Sequence, residues 1–351
     1  MFYVQKLNKL LQPKKKYSIR ILDLFAGCGG LALGFEAFGF ETFGYEMNTD
    51  AAKTYENNLG SPCEIIQLST NYKFPKADIL IGGPPCQPFS VGGKQKGSKD
   101  YRNGFPIFIN AIKQTQPKVF ILENVRGLLY SNKWYFESLI KKFEGLGYLV
   151  EYTLINSVNY KVPQKRERLI IVGHRSKFKF PSPFLNRTVV TEAIGDLMYK
   201  ASGKSRFLTS AMDEYIARYE KASNCITPRD LHPDKPSRTL TCKNLGGATG
   251  DMLRIVLKDG RRRRLTVREA ARLQTFPDWF KFEGNEFSQL NQIGNAVPPL
   301  LAYFLAKEVY ETYLQKQKSM KYIFERNLQK RISLPYLDLA QRKKNKILIS
   351  A

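Results

Sequence analysis

The chain has 351 residues, 43% of them apolar and 25% charged, and its 56 Lys+Arg against 31 Asp+Glu give a formal net charge of +25. That length excludes a mini-protein, and no apolar run approaches the roughly 18 residues of a membrane span, so the composition is that of a soluble folded protein. The charge calls for a polyanionic partner, nucleic acid first, while five scattered cysteines with no C-x-x-C pair and only two histidines exclude the usual zinc sets and a disulfide framework.

Met1 to Tyr17 is polar and lysine-rich and lacks the apolar core of a signal peptide, so it reads as a basic N-terminal extension (1–17) of a cytoplasmic protein. From Ser18 onward, apolar runs alternate with helical periodicity. Strands are predicted at Ile19 to Phe25, Glu41 to Glu46, Ile79 to Ile81, Val119 to Leu122 and Leu169 to Gly173. Helices are predicted at Leu31 to Phe38, Asp50 to Asn57, around Ile107 to Lys113, and from Trp134 to Glu144. This rhythm implies an α/β fold, a doubly wound domain on a parallel sheet, over 18–175. Between 176 and 262 it fades into shorter pieces around Pro181, Pro183, Pro228, Pro233 and Pro236, a separate smaller module. Helices return over 263–314. Thr266 and Glu269 form a capping box that opens a helix through Leu273, and Leu300, Leu301, Phe304, Leu305, Val309 and Tyr313 share one face of a helix suited to docking on the main sheet. The end, 315–351, is a basic tail, either an electrostatic arm or a solvated end.

Asp23-Leu24-Phe25-Ala26-Gly27-Cys28-Gly29-Gly30-Leu31 leaves a strand and opens a helix, where glycines let the backbone approach a ligand and helix N–H groups face an anion. Glu46 ends the next strand, the position from which a carboxylate accepts hydrogen bonds from ribose hydroxyls. A nicotinamide enzyme and a purely structural glycine turn fit the same loop. Gly82-Gly83-Pro84-Pro85-Cys86-Gln87 then holds a cysteine on a proline-stiffened loop at the sheet edge, where a nucleophile belongs. Glu123, in Glu123-Asn124-Val125, stands at the same edge as a proton donor, or alternatively as the partner of an arginine. In Gln164-Lys165-Arg166-Glu167-Arg168, strand alternation sends Arg166 and Arg168 to one face, so that two guanidinium groups reach one site.

Taken in this order, these segments, with Arg264-Leu265-Thr266-Val267-Arg268-Glu269 and Gly294-Asn295-Ala296-Val297-Pro298, resemble the cytosine-C5 DNA methyltransferase family of bacterial restriction-modification type, over about Ile19 to Lys307. The resemblance implies a Rossmann-like S-adenosylmethionine-dependent methyltransferase domain with a smaller target-recognition domain. It implies S-adenosyl-L-methionine as methyl donor, held by Phe25, Gly27, Gly29, Leu31, Glu46, Met47, Pro84 and Asn295, and no metal. Cys86 is then the nucleophile that adds to carbon 6 of a flipped-out cytosine, Glu123 serves N3 and the exocyclic amine, Arg168 the ring oxygen, and Arg166 a flanking phosphate. Double-stranded DNA is the implied partner, with Ser90, Lys94, Arg238, Thr239, Lys243 and Arg261 as contacts and the run Arg261 to Arg264 on phosphates. The resemblance further implies a monomer paired functionally with a cognate restriction endonuclease. One departure stands out. The family's acidic residue after the third strand, which contacts the adenine, has no counterpart in Ile66-Gln67-Leu68-Ser69-Thr70, which leaves a backbone group or Ser69 for that contact. A branch that methylates tRNA and a non-catalytic DNA-binding relative are the alternatives.

Overall fold

A computed structural model describes residues 2–85, 103–201, 205–222, 229–247 and 249–314. Seven strands form one sheet: β1 (Arg20–Leu24), β2 (Glu41–Glu46), β3 (Cys63–Ile65), β4 (Ile79–Gly82), β5 (Val119–Val125), β6 (Leu149–Asn156) and β7 (Glu167–His174). They lie in the order β3-β2-β1-β4-β5-β7-β6. The first five are parallel, but β7 runs antiparallel to both β5 and β6. The sheet is therefore mixed rather than wholly parallel. Its second half is closed by an antiparallel strand pair joined by residues 157–166, with one 3-10 helical turn at Ser157–Tyr160, instead of a crossover helix.

The parallel strands read as continuous apolar runs because both faces are covered. Alternation sends Ile21, Ile79, Ile81, Val119 and Ile121 to one side and Leu22, Leu24, Leu80, Phe120 and Leu122 to the other. The first set packs against α2 (Gly30–Phe38) and α11 (Pro299–Leu314), whose Leu300, Leu301, Leu305 and Val309 dock on the sheet as their spacing indicates. The second set meets α4 (Phe105–Thr115) and α5 (Lys133–Gly145).

The N-terminal extension folds as α1 (Phe2–Leu10) and buries Val4 and Leu7. Asn8 accepts from the indole of Trp279 at 3.0 Å and from the amide of Asp278 at 2.7 Å, which fastens α1 to the late segment of the chain.

The 176–262 region holds α6 (Val190–Met198), α7 (Ser210–Ala222), α8 (Cys242–Gly246) and β8 (Arg254–Val256), and the strand that pairs with β8, β9 (Arg262–Arg264), begins at the region's last residue and continues past it. The region's apolar side chains, among them Ile194, Leu240, Leu253 and Ile255, form one core with Ala32 and Leu33 of α2, Leu273 of α9 (Val267–Leu273) and Ile293 of α10 (Glu286–Asn295). The capping box closes as expected. Thr266 Oγ1 accepts from Glu269 N at 3.3 Å, and Glu269 Oε2 accepts from Thr266 N at 2.8 Å. Glu269 also receives the buried Arg263 guanidinium at 2.6 Å, so one carboxylate starts α9 and anchors β9. Among the described residues, no helix is long and apolar enough to cross a membrane.

Candidate active site

The glycine loop sits between β1 and α2 at the carboxyl edge of the sheet. Gly29 has φ +84°, and a β-carbon there would stand 2.8 Å from Leu59 Cδ1 and Tyr55 Cδ2. Gly27 has φ +56° with open space where its side chain would be. Phe25 holds φ 59°, a left-handed conformation costly for an aromatic residue and found mostly where a site demands it. Gly29→Ala is therefore expected to lower stability by about 1–3 kcal/mol through a strained φ and a blocked contact. A thermal unfolding midpoint equal to that of the wild type would show that the loop tolerates a side chain.

Glu46 pins this loop. Its Oε2 accepts from Gly27 N and its Oε1 from Asn48 N, each at 2.8 Å. Asn48 in turn caps α3 (Thr49–Asn58) by accepting from Ala51 N. Met47 beside it is 65% exposed, an unusual state for so apolar a side chain, and Ile65 on the neighbouring strand end is also exposed. Leu31 buries its side chain, so only its backbone is available to a ligand. Ser69 uses its hydroxyl locally, accepting from Asn71 N at 3.4 Å.

Asp23 lies beneath the loop, buried, with Oδ2 lacking a hydrogen-bond partner. Burial, then the negative charges of Glu46 and Glu36, push its pKa well above the usual carboxylate range. The folded chain thus holds this proton to higher pH than the unfolded chain does. Asp23 therefore subtracts stability as pH rises from the unfolded value of about 4 toward the raised folded one. Asp23→Asn is expected to gain thermal stability over the wild type progressively from pH 4 to 8. A difference that does not change with pH would locate the linkage elsewhere.

The second part of the site gathers at the ends of β4, β5 and β7. Strand β5 extends beyond Leu122, so Glu123 lies within it rather than past its end, and Val125 pairs with Arg168. Glu123 Oε1 and Arg168 Nε form a close ion pair at 2.8 Å, with side chains 13% and 15% exposed. The contact lies outside aligned hydrogen-bond geometry, since Oε1 has no hydrogen-bond partner. Arg168 Nη1 also donates to Glu167 O at 2.8 Å. Both readings of Glu123 meet here, a carboxylate at the sheet edge and an arginine partner. Glu123 Oε2 stands 3.7 Å from where a β-carbon on Gly83 would be, facing the start of the Pro84-Pro85 segment.

Asn124 Nδ2 donates to Pro84 O at 2.9 Å, and Gly104 N donates to Pro85 O at 3.0 Å. Asn103 Nδ2 donates to the Tyr135 hydroxyl at 2.8 Å. Nothing in the sequence marks these ties beyond the order Glu123-Asn124, which places an amide one residue beyond the carboxylate. Cys86, Ser90 and Lys94 lie outside the described residues, as does the basic tail.

Arg166 departs from the expectation that it meets a phosphate. Its side chain is 1% exposed, Nη1 donating to Leu240 O at 2.8 Å and Nη2 to Gly294 O at 3.2 Å. Burial, and then the like charge of Arg168, lower its pKa to about 9. The guanidinium is committed to the interior and cannot reach a DNA backbone.

The basic run differs likewise. Arg263 is buried on Glu269, Arg262 pairs with Asp213 and Asp230, and exposed Arg261 is held by Asp259 at 2.8 Å and lies over the Phe207 ring. These arginines build the module before they can serve a ligand. Arg238 and Lys243 are exposed, and Thr239 Oγ1 donates to Lys165 O at 2.6 Å. Asn295 is exposed at the end of α10, where its Oδ1 accepts from Cys242 Sγ at 3.1 Å.

Residues 19–311 match the family model described as C-5 cytosine-specific DNA methylase. The chain is 52% identical over 320 residues to the Type II methyltransferase M.AplI of Arthrospira platensis, an alignment covering 89% of this chain and 90% of that protein. It is 36% identical over 349 residues to the Type II methyltransferase M.FnuDI of Fusobacterium nucleatum, covering 88% and 99%. Among solved structures, the S. pombe Dnmt2 methyltransferase superposes with a TM-score of 0.65 at 16% identity, covering 84% of this chain and 98% of that one, which bears on the fold.

Proposed function

Since the chain belongs to the C-5 cytosine-specific DNA methylase family, whose members use S-adenosylmethionine, we propose that it methylates carbon 5 of one cytosine within a short duplex sequence by way of a covalent Cys86 adduct. The observation that carries this reading is the Glu123–Arg168 pair at 2.8 Å beside the Pro84-Pro85 segment, one residue before Cys86.

The residues present fit the methyl donor. The open space at Gly27, the helix N-terminus behind it, exposed Met47 and the unpartnered Asp23 Oδ2 make a cradle with polar and apolar parts. Phe25, Gly27, Gly29, the Leu31 backbone, Glu46, Met47, Pro84 and Asn295 would hold it. S-adenosylmethionine supplies an electrophilic methyl group there when bound.

Carbon 5 of cytosine is a poor nucleophile until a thiolate adds at carbon 6. The Cys86 thiolate bonds to carbon 6, the C5=C6 pair shifts to C4–C5 and the C4=N3 pair onto N3, which takes a proton or hydrogen bond from Glu123 and leaves carbon 5 an enamine carbon. Arg168 stabilises the negative charge that develops on the ring oxygen. After methylation, a solvent-derived base takes the carbon 5 proton, its electron pair restores the C5=C6 double bond and expels the Cys86 thiolate, and N3 returns its proton to Glu123. The target base leaves the duplex for this chemistry, at about a few kcal/mol offset by contacts in the pocket. Arg238, Thr239 and Lys243 are the DNA contacts of choice, and the activity protects DNA from a cognate endonuclease.

Cytosine-conversion sequencing of DNA and tRNA from a methylation-free host expressing the chain tests this reading. One short DNA motif protected at a single cytosine is expected. Protection confined to tRNA, or none in either, would overturn it.

A further inference from the structure

Between the glycine loop and the recognition module runs a buried polar strut that the reaction itself does not use. Leu240 is clamped at both ends of its backbone: its N–H donates to Gln164 Oε1 at 2.9 Å, and its carbonyl accepts from Arg166 Nη1 at 2.8 Å. The same two side chains reach the end of α10. Arg166 Nη2 donates to Gly294 O, while Gln164 Nε2 donates to Gln274 Oε1, and Gln274 Nε2 donates to Ile293 O at 2.9 Å and Ala296 O at 2.7 Å. Gln164, Arg166 and Gln274 are at most 1% exposed.

The Gly294–Val297 segment they grip is itself packed on two partners. A β-carbon on Gly294 would stand 2.5 Å from Cys242 N, and one on Gly30 would stand 2.5 Å from Val297 O. One side of the segment therefore presses on the recognition module just after Thr241, and the other presses on the first turn of α2, behind the proposed methyl-donor cradle. Among the described residues no carboxylate hydrogen-bonds Arg166, which is unusual for a buried guanidinium and leaves carbonyl positioning as its visible task.

We propose that Arg166 is a positioning residue that couples occupancy of the methyl-donor site to the grip of the Ser237–Thr241 segment on DNA. This rests on the function proposed above. Ordering the glycine loop fixes Val297 and Gly294, and the guanidinium passes that constraint to Leu240 and so to Thr239 and Arg238. Reciprocity then requires DNA to tighten methyl-donor binding by the same factor.

S-adenosylhomocysteine is the probe. In the wild type without DNA, it is expected to slow amide hydrogen exchange across Ser237–Thr241 by about fivefold or more, beyond any change in the distant strand β6. Equal changes in the two segments would overturn the coupling. With a duplex carrying the protected motif, S-adenosylhomocysteine should tighten DNA binding by about tenfold, within the usual range for coupled sites. Arg166→Lys should cut that factor at least about threefold, leaving the salt dependence of DNA binding unchanged. A folded Arg166→Lys protein with the wild-type factor would overturn the proposal. So would a salt slope reduced by about one, with DNA affinity weakened equally with and without the probe, the signature of a lost phosphate contact. Failure of S-adenosylhomocysteine to bind at all, read by calorimetry, would remove the functional reading as well and is distinguishable from either result.

Discussion

Cys86→Ser is expected to reduce methyl transfer by about 10⁴-fold or more while DNA affinity stays within about threefold, because the residue's proposed part is bond formation rather than binding. A serine hydroxyl occupies nearly the same place as the thiol but is almost entirely protonated near neutral pH, so addition at carbon 6 fails at its first step. DNA in which the target cytosine bears fluorine at carbon 5 offers a second readout. Fluorine cannot leave as a proton does, so an addition intermediate formed by the wild type stays covalently attached to the protein and survives denaturing electrophoresis. The serine variant should give no such species. A stable complex from Cys86→Ser, or turnover near that of the wild type, would take the nucleophile away from this position. The backbone leading into Cys86 is held, Pro84 O by Asn124 and Pro85 O by Gly104, independently of the Cys86 side chain, so loss of activity would not reflect a displaced Pro84-Pro85 segment.

Glu123→Gln is expected to lower kcat by about 10²–10⁴-fold, the range for removing a general acid. The amide keeps the size of the carboxyl and can still hydrogen-bond, but it neither protonates N3 nor balances Arg168 at 2.8 Å. Stability should fall as well, because a mostly buried guanidinium loses its counter-charge. The two effects separate the roles. A variant that loses stability but retains kcat would make the pair a structural tie only, whereas a large loss of kcat in a folded protein identifies the acid.

Much of the first half of the fold is legible because burial on both faces of β1, β4 and β5 prints apolar runs with sharp ends, and glycines mark the turn between β1 and α2. The Thr266–Glu269 box and the buried face of α11 are equally local signals. Strand β6 is not legible: Glu151, Tyr152, Thr153 and Leu154 are all partly or fully exposed, so the sequence carries neither clean alternation nor a solid apolar run. The antiparallel direction of β7 depends on pairings with distant strands, which no window of sequence contains. Arg166 and Arg168 look alike two residues apart, yet one is buried and the other faces Glu123. The partners that decide this for Arg166 are backbone carbonyls 74 and 128 residues away, and carbonyls leave no mark in a sequence. In the basic run, Arg261, Arg262 and Arg263 take carboxylates from separate elements, Asp259 between β8 and β9, Asp213 on α7, Asp230 beyond it in the chain and Glu269 on α9, and of these only Asp259 and Glu269 stand close in sequence to their arginines.

The core shared by α2 and the 176–262 region, the proposed recognition module, bears on any attempt to retarget the protein. Were the 176–262 region a detachable cassette, a relative's region could be grafted whole to confer a new DNA sequence preference. Its underside is instead continuous with the glycine-loop helix through Leu240, Leu253 and Ile255 against Ala32 and Leu33, and it is stitched to α9 by Arg263. A transplant that exchanges those inward residues is expected to disturb the proposed methyl-donor cradle along with specificity. The practical graft keeps the underside and Arg263 native and varies only outward-facing positions such as Arg238 and Lys243.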